Sequence, residues 1–305
     1  MSRALVVGSD GQDGRIVSDR LRREGSETVG VGRDTDILDR DAVARLVSEF
    51  RPDEVYYLAA VHHSAEDRES MGGRDLYASS HRVHVEGLLN FLEAIRLQRA
   101  SAHLVYAASC LVFGEPSAST QDESTPLAPV CIYGITKTTG TYCCRFYRKS
   151  AGVRASVGIL YNHESPLRKP DFVSQKIVRA AVDIRRGRAS KLVLGDLSAV
   201  NDWGWAEDTV DAMIRIARLD APDDFVVASG EPHTVADLVE AVFTRAGLDW
   251  KRHVEEDRAR IARRRPPLIG DSSRLRERTG WRPRVSFEDM AARLWDAAWA
   301  AAGQP

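Results

Sequence analysis

The sequence predicts an α/β fold: a doubly wound parallel sheet with helices on both faces, joined to a smaller and mostly helical substrate lobe. Three observations predict it. Short apolar runs alternate with amphipathic segments through the first half of the 305 residues, the rhythm of strand, crossover helix and strand. Three glycines, Gly8, Gly11 and Gly14, stand directly between the first apolar run and the first amphipathic segment. After Asn162 the rhythm gives way to proline-containing loops such as "NHESPLRKPD" and "RRRPPLIGD", which separate four helices.

Taken in order, "ALVVG" is a strand, and "GRIVSDRLRREG" is a helix with Ile16, Val17 and Leu21 on one side and Gly25 as its stop. "TVGVG" is the second strand. "DAVARLVSEF" puts Val43, Leu46, Val47 and Phe50 on one helical stripe, and "DEVYYLAA" follows as the third strand, completing a βαβαβ half. Beyond it lie a long helix "HRVHVEGLLNFLEAIRLQ", a strand "AHLVYAAS", a helix "GITKTTGTYCCRFYRKSAG" ending at Gly152, and a strand "RASVGILYN". Helices at about 172–186, 206–219, 234–246 and 286–301 come next, interrupted by one more apolar strand, "DFVVASG". The expected division is a dinucleotide-binding domain over 1–162, with segments near 192–230 returning to it, and a discontinuous substrate lobe over 163–305.

Composition narrows the partners. Hydrophobic residues make up 43% of the chain, enough for a large core. Its 43 basic and 44 acidic residues are interspersed, so no long-range field recruits nucleic acid or an anionic membrane, and a small polar substrate fits better. No stretch approaches the ~18 apolar residues of a membrane span, and the apolar run in "MSRALVVGSDG" is too short for a signal peptide. A cytoplasmic protein is expected. The four cysteines lack C-x-x-C spacing and read as packing residues, with no metal site.

Gly8, Gly11 and Gly14 stand at G-x-x-G-x-x-G spacing, in the strand-to-helix context that gives the pattern meaning. Glycine allows the sharp turn and the close approach of backbone N–H groups to a pyrophosphate at a helix N-terminus, so the first half is a Rossmann-type dinucleotide site. A glycine turn without a ligand is the alternative, and the complete βαβ unit argues against it. At the end of the second strand, "VGVGRD" offers Arg33, whose guanidinium suits the 2′-phosphate of NADP, with Arg15 in support. Solvated surface arginines are the other reading, and Asp34 keeps NAD open.

"YGITK" places Tyr133 and Lys137 at i, i+4 on one helix face, where an ammonium lowers a phenol's pKa and equips it to relay a proton to or from a sugar hydroxyl. Ser109 ends the strand "HLVYAAS" at the carboxyl edge of the sheet, placed to hold the same substrate oxygen.

With these residues the chain resembles the extended short-chain dehydrogenase/reductase superfamily over nearly its whole length. "GQDG", "PDEVYYLAA", "NHESPLR" followed by "FVSQKI", "LGDLSAVNDWG" and "LIGDSSRLRERTGWRP" look like the branch containing GDP-mannose 4,6-dehydratase and GDP-4-keto-6-deoxy-mannose reductase. The resemblance implies Ser109, Tyr133 and Lys137 as the catalytic set. It implies Gly8, Gly11, Gln12, Asp13 and Gly14 at the cofactor turn, Asp36 and Ile37 at the adenine, and Leu58, Ala59 and Ala60 along the cofactor. Asn162 falls at the substrate diphosphate, and Val173 and Lys176 at the nucleotide base. It also implies a homodimer through helices at about 82–97 and 134–150.

Three departures qualify the likeness. The segment between the second strand and the helix at 40–50 is short, as in the reductases. Asn201 replaces the arginine of the dehydratase motif "RDWG", leaving Arg263, Arg264 and Arg265 as replacements near the diphosphate, with a solvated basic loop as the alternative. Leu111, in "AASCLVFG", occupies the slot where the relatives carry a glutamate. That glutamate would remove the C5 proton and protonate the departing 6-hydroxyl in 4,6-dehydration, and leucine can do neither. His62 and His63, just past the third strand, lie at the same sheet edge as substrate contacts or substitute bases. The expected function is therefore NADP-dependent hydride transfer at C4 of a GDP-hexose, as 4-keto reductase or C4 epimerase. Dehydration with His62, His63 or Glu164 as the base is the runner-up, and a catalytically silent dinucleotide sensor the rival from another class.

Overall fold

β1 (Arg3–Val7) has four buried residues among its five because it lies inside the sheet, covered on both faces. α1 (Gln12–Arg23) buries Val17 and Leu21 on the return to β2 (Glu27–Val31). α2 (Arg40–Phe50) starts where the Asp39 carboxylate accepts the Ala42 N–H, and leads to β3 (Glu54–Tyr57). The long helix expected from His81 is α3 (Arg74–His81) and α4 (Gly87–Leu97), joined by a π-turn at Arg82–Glu86. Then follow β4 (His103–Ser109), a 3₁₀ turn at Cys110–Val112, α5 (Ile132–Ala151) and β5 (Ala155–Leu160). The remainder comprises β6 (Asn162–Glu164), α6 (Val173–Arg185), β7 (Leu192–Leu194), β8 (Val200–Trp205), α7 (Ala206–Ala217) and β9 (Asp224–Val227). β10 (Pro232–Thr234), α8 (Val235–Arg245), α9 (Trp250–His253), β11 (Val254–Glu256), α10 (Ser273–Thr279) and α11 (Phe287–Ala301) complete it. This computed structural model describes residues 2–61, 73–98, 101–260 and 266–303.

The main sheet is parallel throughout, in the order β2-β1-β3-β4-β5-β9. Its order reverses between β1 and β3, so the crossovers from these strands diverge and open a crevice at their carboxyl ends, where open α/β sheets bind ligands. β9 reaches the sheet only after the chain has left it through α6 and α7, pairing Val157 with Asp224 through Leu160 with Val227. β6, β8 and β10 form a small second sheet, and β7 pairs with β11.

Each face of the main sheet has its own core. Leu5, Val7, Tyr57, Phe91, Leu92, Leu104 and Tyr106 fill one, and Val6, Tyr56, Val105, Met213 and Phe225 the other. A third cluster, built on Ile177, Trp203, Leu238, Phe243 and Leu294, lies among α6, α8, α11 and the small sheet. None of the four cysteines forms a disulfide; Cys110 and Cys144 are buried and pack with the first core. Among the described residues no helix is long and apolar enough to cross a membrane.

Candidate active site

The glycine turn is tight enough to exclude side chains. Gly8 has φ +89°, and a Cβ there would come within 2.7 Å of the Ala59 nitrogen. A Cβ on Gly14 would stand 2.2 Å from the Gly8 carbonyl oxygen. β1, the start of α1 and the end of β3 therefore meet backbone to backbone at the point where the strand order reverses. Gly11 provides no side-chain cap, so the N-terminus of α1 faces the crevice with its positive dipole end.

Ser109 is the last residue of β4, and its Oγ accepts the Leu111 N–H at 3.3 Å. The turn that follows lies directly on α5, for a Cβ on Gly134 would approach the Leu111 carbonyl oxygen to 2.5 Å. The carboxyl end of β4 thereby abuts the first turn of the helix that carries Tyr133. One turn on, Lys137 is buried, its Nζ donating to the Ala107 carbonyl at 2.7 Å and lying 5.7 Å from the centre of the Tyr133 ring. Burial pushes the lysine down to about 7. The expected lowering of the phenol does not occur: burial holds Tyr133 above the ordinary tyrosine value, with the positive charge of Arg168 opposing it. Desolvation dominates at the phenol, and the same burial that lowers Lys137 to about 7 leaves it only partly charged near neutral pH.

Gln12 and Asp13 do something the motif does not announce. The Asp13 carboxylate receives His163 Nε2 at 3.0 Å and Gln12 Nε2 at 3.0 Å, while Gln12 also donates to the His163 carbonyl and accepts from Ser165 Oγ at 2.8 Å. His163 Nδ1 meets the Tyr161 carbonyl at 2.7 Å, so both ring nitrogens face acceptors, an arrangement that favours the imidazolium. Burial drives Asp13 up, but the charge and hydrogen bond of His163 outweigh it and hold the carboxyl at about 2. Burial likewise pushes His163 down, and Asp13 overcomes this to raise it. The side chains expected at the cofactor are thus turned into a brace between the glycine turn and the "NHES" segment at β6.

The same segment is fastened on its other side. Glu164 accepts from Ser174 Oγ at 2.5 Å with Arg168 Nε 3.6 Å away, and Gln175 Nε2 donates to the Ser165 carbonyl. Glu164 is thereby buried and bonded and stands as a structural anchor, which removes it as a substitute base. Val173 and Lys176 occupy the first turn of α6, Val173 against the third core. Asn162 Nδ2 donates to Asn201 Oδ1 at 3.3 Å, and Asn162 lines a small pocket of about 10 Å³, room for a single water, with Trp205, Thr209, Ser229 and Trp281. Arg168, whose guanidinium stacks 3.7 Å over the Phe172 ring, is the charged group beside Tyr133 and Asp13 that sequence reasoning missed. It stood in plain view as the last residue of "NHESPLR".

Arg33 is exposed at the end of β2, its backbone N–H bonded to Asp10 Oδ2 at 3.1 Å. The carboxylates of Asp10 and Asp34 come to 2.8 and 3.1 Å of the space a Cβ on Gly32 would take, so two acidic groups stand at the end of β2 beside Gly32. Asp36 is exposed and receives the Leu38 N–H, and Ile37 packs against the first core while its carbonyl accepts from Asn90. Leu58, Ala59 and Ala60 run from the end of β3 beside Gly8. His62, His63 and Arg263 to Arg265 lie outside the described residues.

A parallel sheet with a glycine turn at its switch point, and with Ser109, Tyr133 and Lys137 gathered at the adjoining strand end, defines an extended short-chain dehydrogenase/reductase. The family model described as GDP-mannose 4,6 dehydratase matches residues 33–294. GDP-mannose 4,6 dehydratase 1 of Arabidopsis thaliana is 35% identical over 96% of this chain and 88% of its own. Among solved structures, RMD from Pseudomonas aeruginosa complexed with NADPH superimposes with a TM-score of 0.86 at 22% identity, covering 98% of this chain and 100% of that one. Thermus thermophilus UDP-glucose 4-epimerase in complex with NAD gives 0.82 at 24% identity over 98% and 99%. These two likenesses establish the fold alone. The chain belongs to the GDP-mannose 4,6-dehydratase family.

Proposed function

We propose that this protein is an NADP-dependent enzyme of GDP-hexoses that moves hydride at C4 of the sugar, as a 4-keto-sugar reductase or a C4 epimerase. Leu111 carries the choice. Reduction and epimerisation need a proton relay and an oxygen-binding hydroxyl, whereas dehydration also needs a base at C5, and a leucine stands where the family resemblance implies the glutamate.

The residues present fit a dinucleotide, because Gly8 and Gly14 leave the cradle that a Cβ would fill. When bound, the nicotinamide supplies or accepts the hydride at C4. In this reading the backbone at Gly8, Gly11, Gln12, Asp13 and Gly14 holds the diphosphate. Arg33 binds the 2′-phosphate, Asp36 and Ile37 flank the adenine, and Leu58, Ala59 and Ala60 line the path between. Ser109 holds the sugar oxygen that Tyr133 protonates or deprotonates, and Lys137 orients the cofactor ribose and supports the phenol's proton exchange. Asn162, Val173, Lys176 and Arg265 are assigned to the nucleotide part of the substrate, and His63 is a further substrate contact. Ile135, Tyr142 and Phe146 are exposed along one face of α5, which supports the homodimer through this helix.

The test is to supply NADPH with GDP-4-keto-6-deoxy-mannose and follow nicotinamide absorbance. Oxidation of NADPH with a matching gain of two hydrogens in the product is expected; no turnover here, nor C4 exchange on a panel of GDP-hexoses, sinks the reading and favours the silent sensor. Dehydration is the second reading, favoured by the family match and by the named activity of the Arabidopsis relative. His62 or His63 would then supply the base.

Cofactor choice has its own test. Arg33→Ala should weaken NADP binding about 10- to 100-fold, the worth of a charge-assisted phosphate contact, and leave NAD binding nearly unchanged. Equal losses for both, measured by fluorescence titration, would mean that Arg33 does not face the phosphate.

A further inference from the structure

His84 is fully buried beside Tyr133 and has no part in the chemistry described so far. It sits in the π-turn between α3 and α4, where the Gly87 N–H reaches back to the Arg82 carbonyl and one extra residue is accommodated in the turn. The carbonyls this displaces are taken up by tyrosines of the sheet: Tyr57 Oη donates to Val83 at 2.5 Å and Tyr106 Oη to His84 at 3.4 Å. The distortion is therefore held from below by β3 and β4.

The ring of His84 bridges two other elements. Its Nε2 accepts the Val61 N–H at 3.0 Å, so that nitrogen carries no proton and Nδ1 must carry one. Nδ1 lies 2.8 Å from Thr136 Oγ1, and the threonine hydroxyl is shared between the carbonyls of Ile132 and Tyr133 at 3.0 and 3.1 Å. The ring edge also meets the Tyr133 ring, with centroids 5.2 Å apart and planes at 84°. Val61 ends the stretch that contains Ala59 and Ala60, the wall beside the glycine turn. One imidazole thus ties that wall to the first turn of the helix bearing Tyr133.

We propose that His84, as its Nδ1–H tautomer, is a positioning residue that fixes Tyr133 relative to the cofactor wall at Ala59 and Ala60. It acts through Tyr133, so it rests on the reading of Tyr133 as the proton relay. A displacement of about 1 Å at a reacting group can cost on the order of 100-fold in rate without touching affinity. A loose clamp should therefore appear in kcat and not in KM.

The experiment uses the full chain and three variants. His84→Phe keeps the ring against Tyr133 but removes both hydrogen bonds; His84→Asn restores a donor toward Thr136; Thr136→Val removes the acceptor and leaves the histidine. ¹⁵N NMR of the imidazoles should show Nδ1 protonated and Nε2 unprotonated at His84, and amide exchange at Val61 should accelerate in His84→Phe. With NADPH and GDP-4-keto-6-deoxy-mannose, kcat per cofactor-binding site should fall roughly 10- to 100-fold in His84→Phe and Thr136→Val, with KM and NADPH affinity nearly constant and partial recovery in His84→Asn. Thr136→Val serves where His84→Phe does not fold. The opposite tautomer, unchanged Val61 exchange, or a loss that vanishes once kcat is normalised to binding sites would overturn the proposal. If the parent turns over none of the substrates, the reading of Tyr133 fails instead, and the tautomer and amide exchange still decide whether the clamp exists.

Discussion

Tyr133→Phe is expected to reduce turnover by at least about 10²–10⁴-fold while NADPH binds nearly as before. The change removes one oxygen and keeps the ring that His84 meets edge-on and that Lys137 lies beneath. Burial holds the phenol protonated at neutral pH against the pull of Arg168, so in the reductive direction Tyr133 stands ready as an acid toward a C4 oxygen. Lys137, lowered by burial to about 7, can gain or lose a proton at little cost near neutrality, and so is suited to refill the phenol. Phenylalanine ends that exchange without removing any group assigned to a phosphate. The measurement is kcat beside an NADPH fluorescence titration. Activity equal to the parent would remove Tyr133 from the catalytic set and with it the basis for assigning hydride chemistry to this strand end.

How much of this could be read in advance depended on whether the cause was local. The strands β1, β3, β4 and β5 were legible because they are covered on both faces and so read as apolar runs. The glycine turn and the Tyr133–Lys137 pair were legible because their spacing places them whatever the rest of the chain does. The π-turn was not, since its support comes from Tyr57 and Tyr106, far away in sequence. β6, β7, β10 and β11 have three residues each, too few for an alternating pattern to register. Desolvation was also invisible: spacing set an ammonium near the phenol, but only burial showed that both groups would resist charging. The brace of Asp13 with His163 joins residues 150 apart, and no pattern in either segment predicts the other.

The protein given GDP-mannose and NADP should not release a 4-keto-6-deoxy product at an appreciable rate. Once C4 is oxidised the C5 proton is acidic, and elimination requires a base to take it and an acid to protonate the departing 6-hydroxyl. Leu111 is partly buried against the first core, with its peptide on Gly134, and brings neither function. The nearby carboxylates are engaged elsewhere, Asp13 with His163 and Glu164 with Ser174 and Arg168. Without a substitute base, dehydration should run about 10²–10⁴-fold below the rate such a group provides, while hydride exchange at C4 continues. Leu111→Glu is the complementary gain test, because the fold places this side chain two residues past Ser109; its carboxylate must still adopt the productive geometry, so a gain supports the assignment of the slot. The deciding observation comes from the unsubstituted protein, by mass spectrometry of the sugar nucleotide. Rapid loss of one water would refute the reductase and epimerase reading. Single substitutions of His62 and His63 would then identify the base as the residue whose loss stops dehydration but spares exchange at C4.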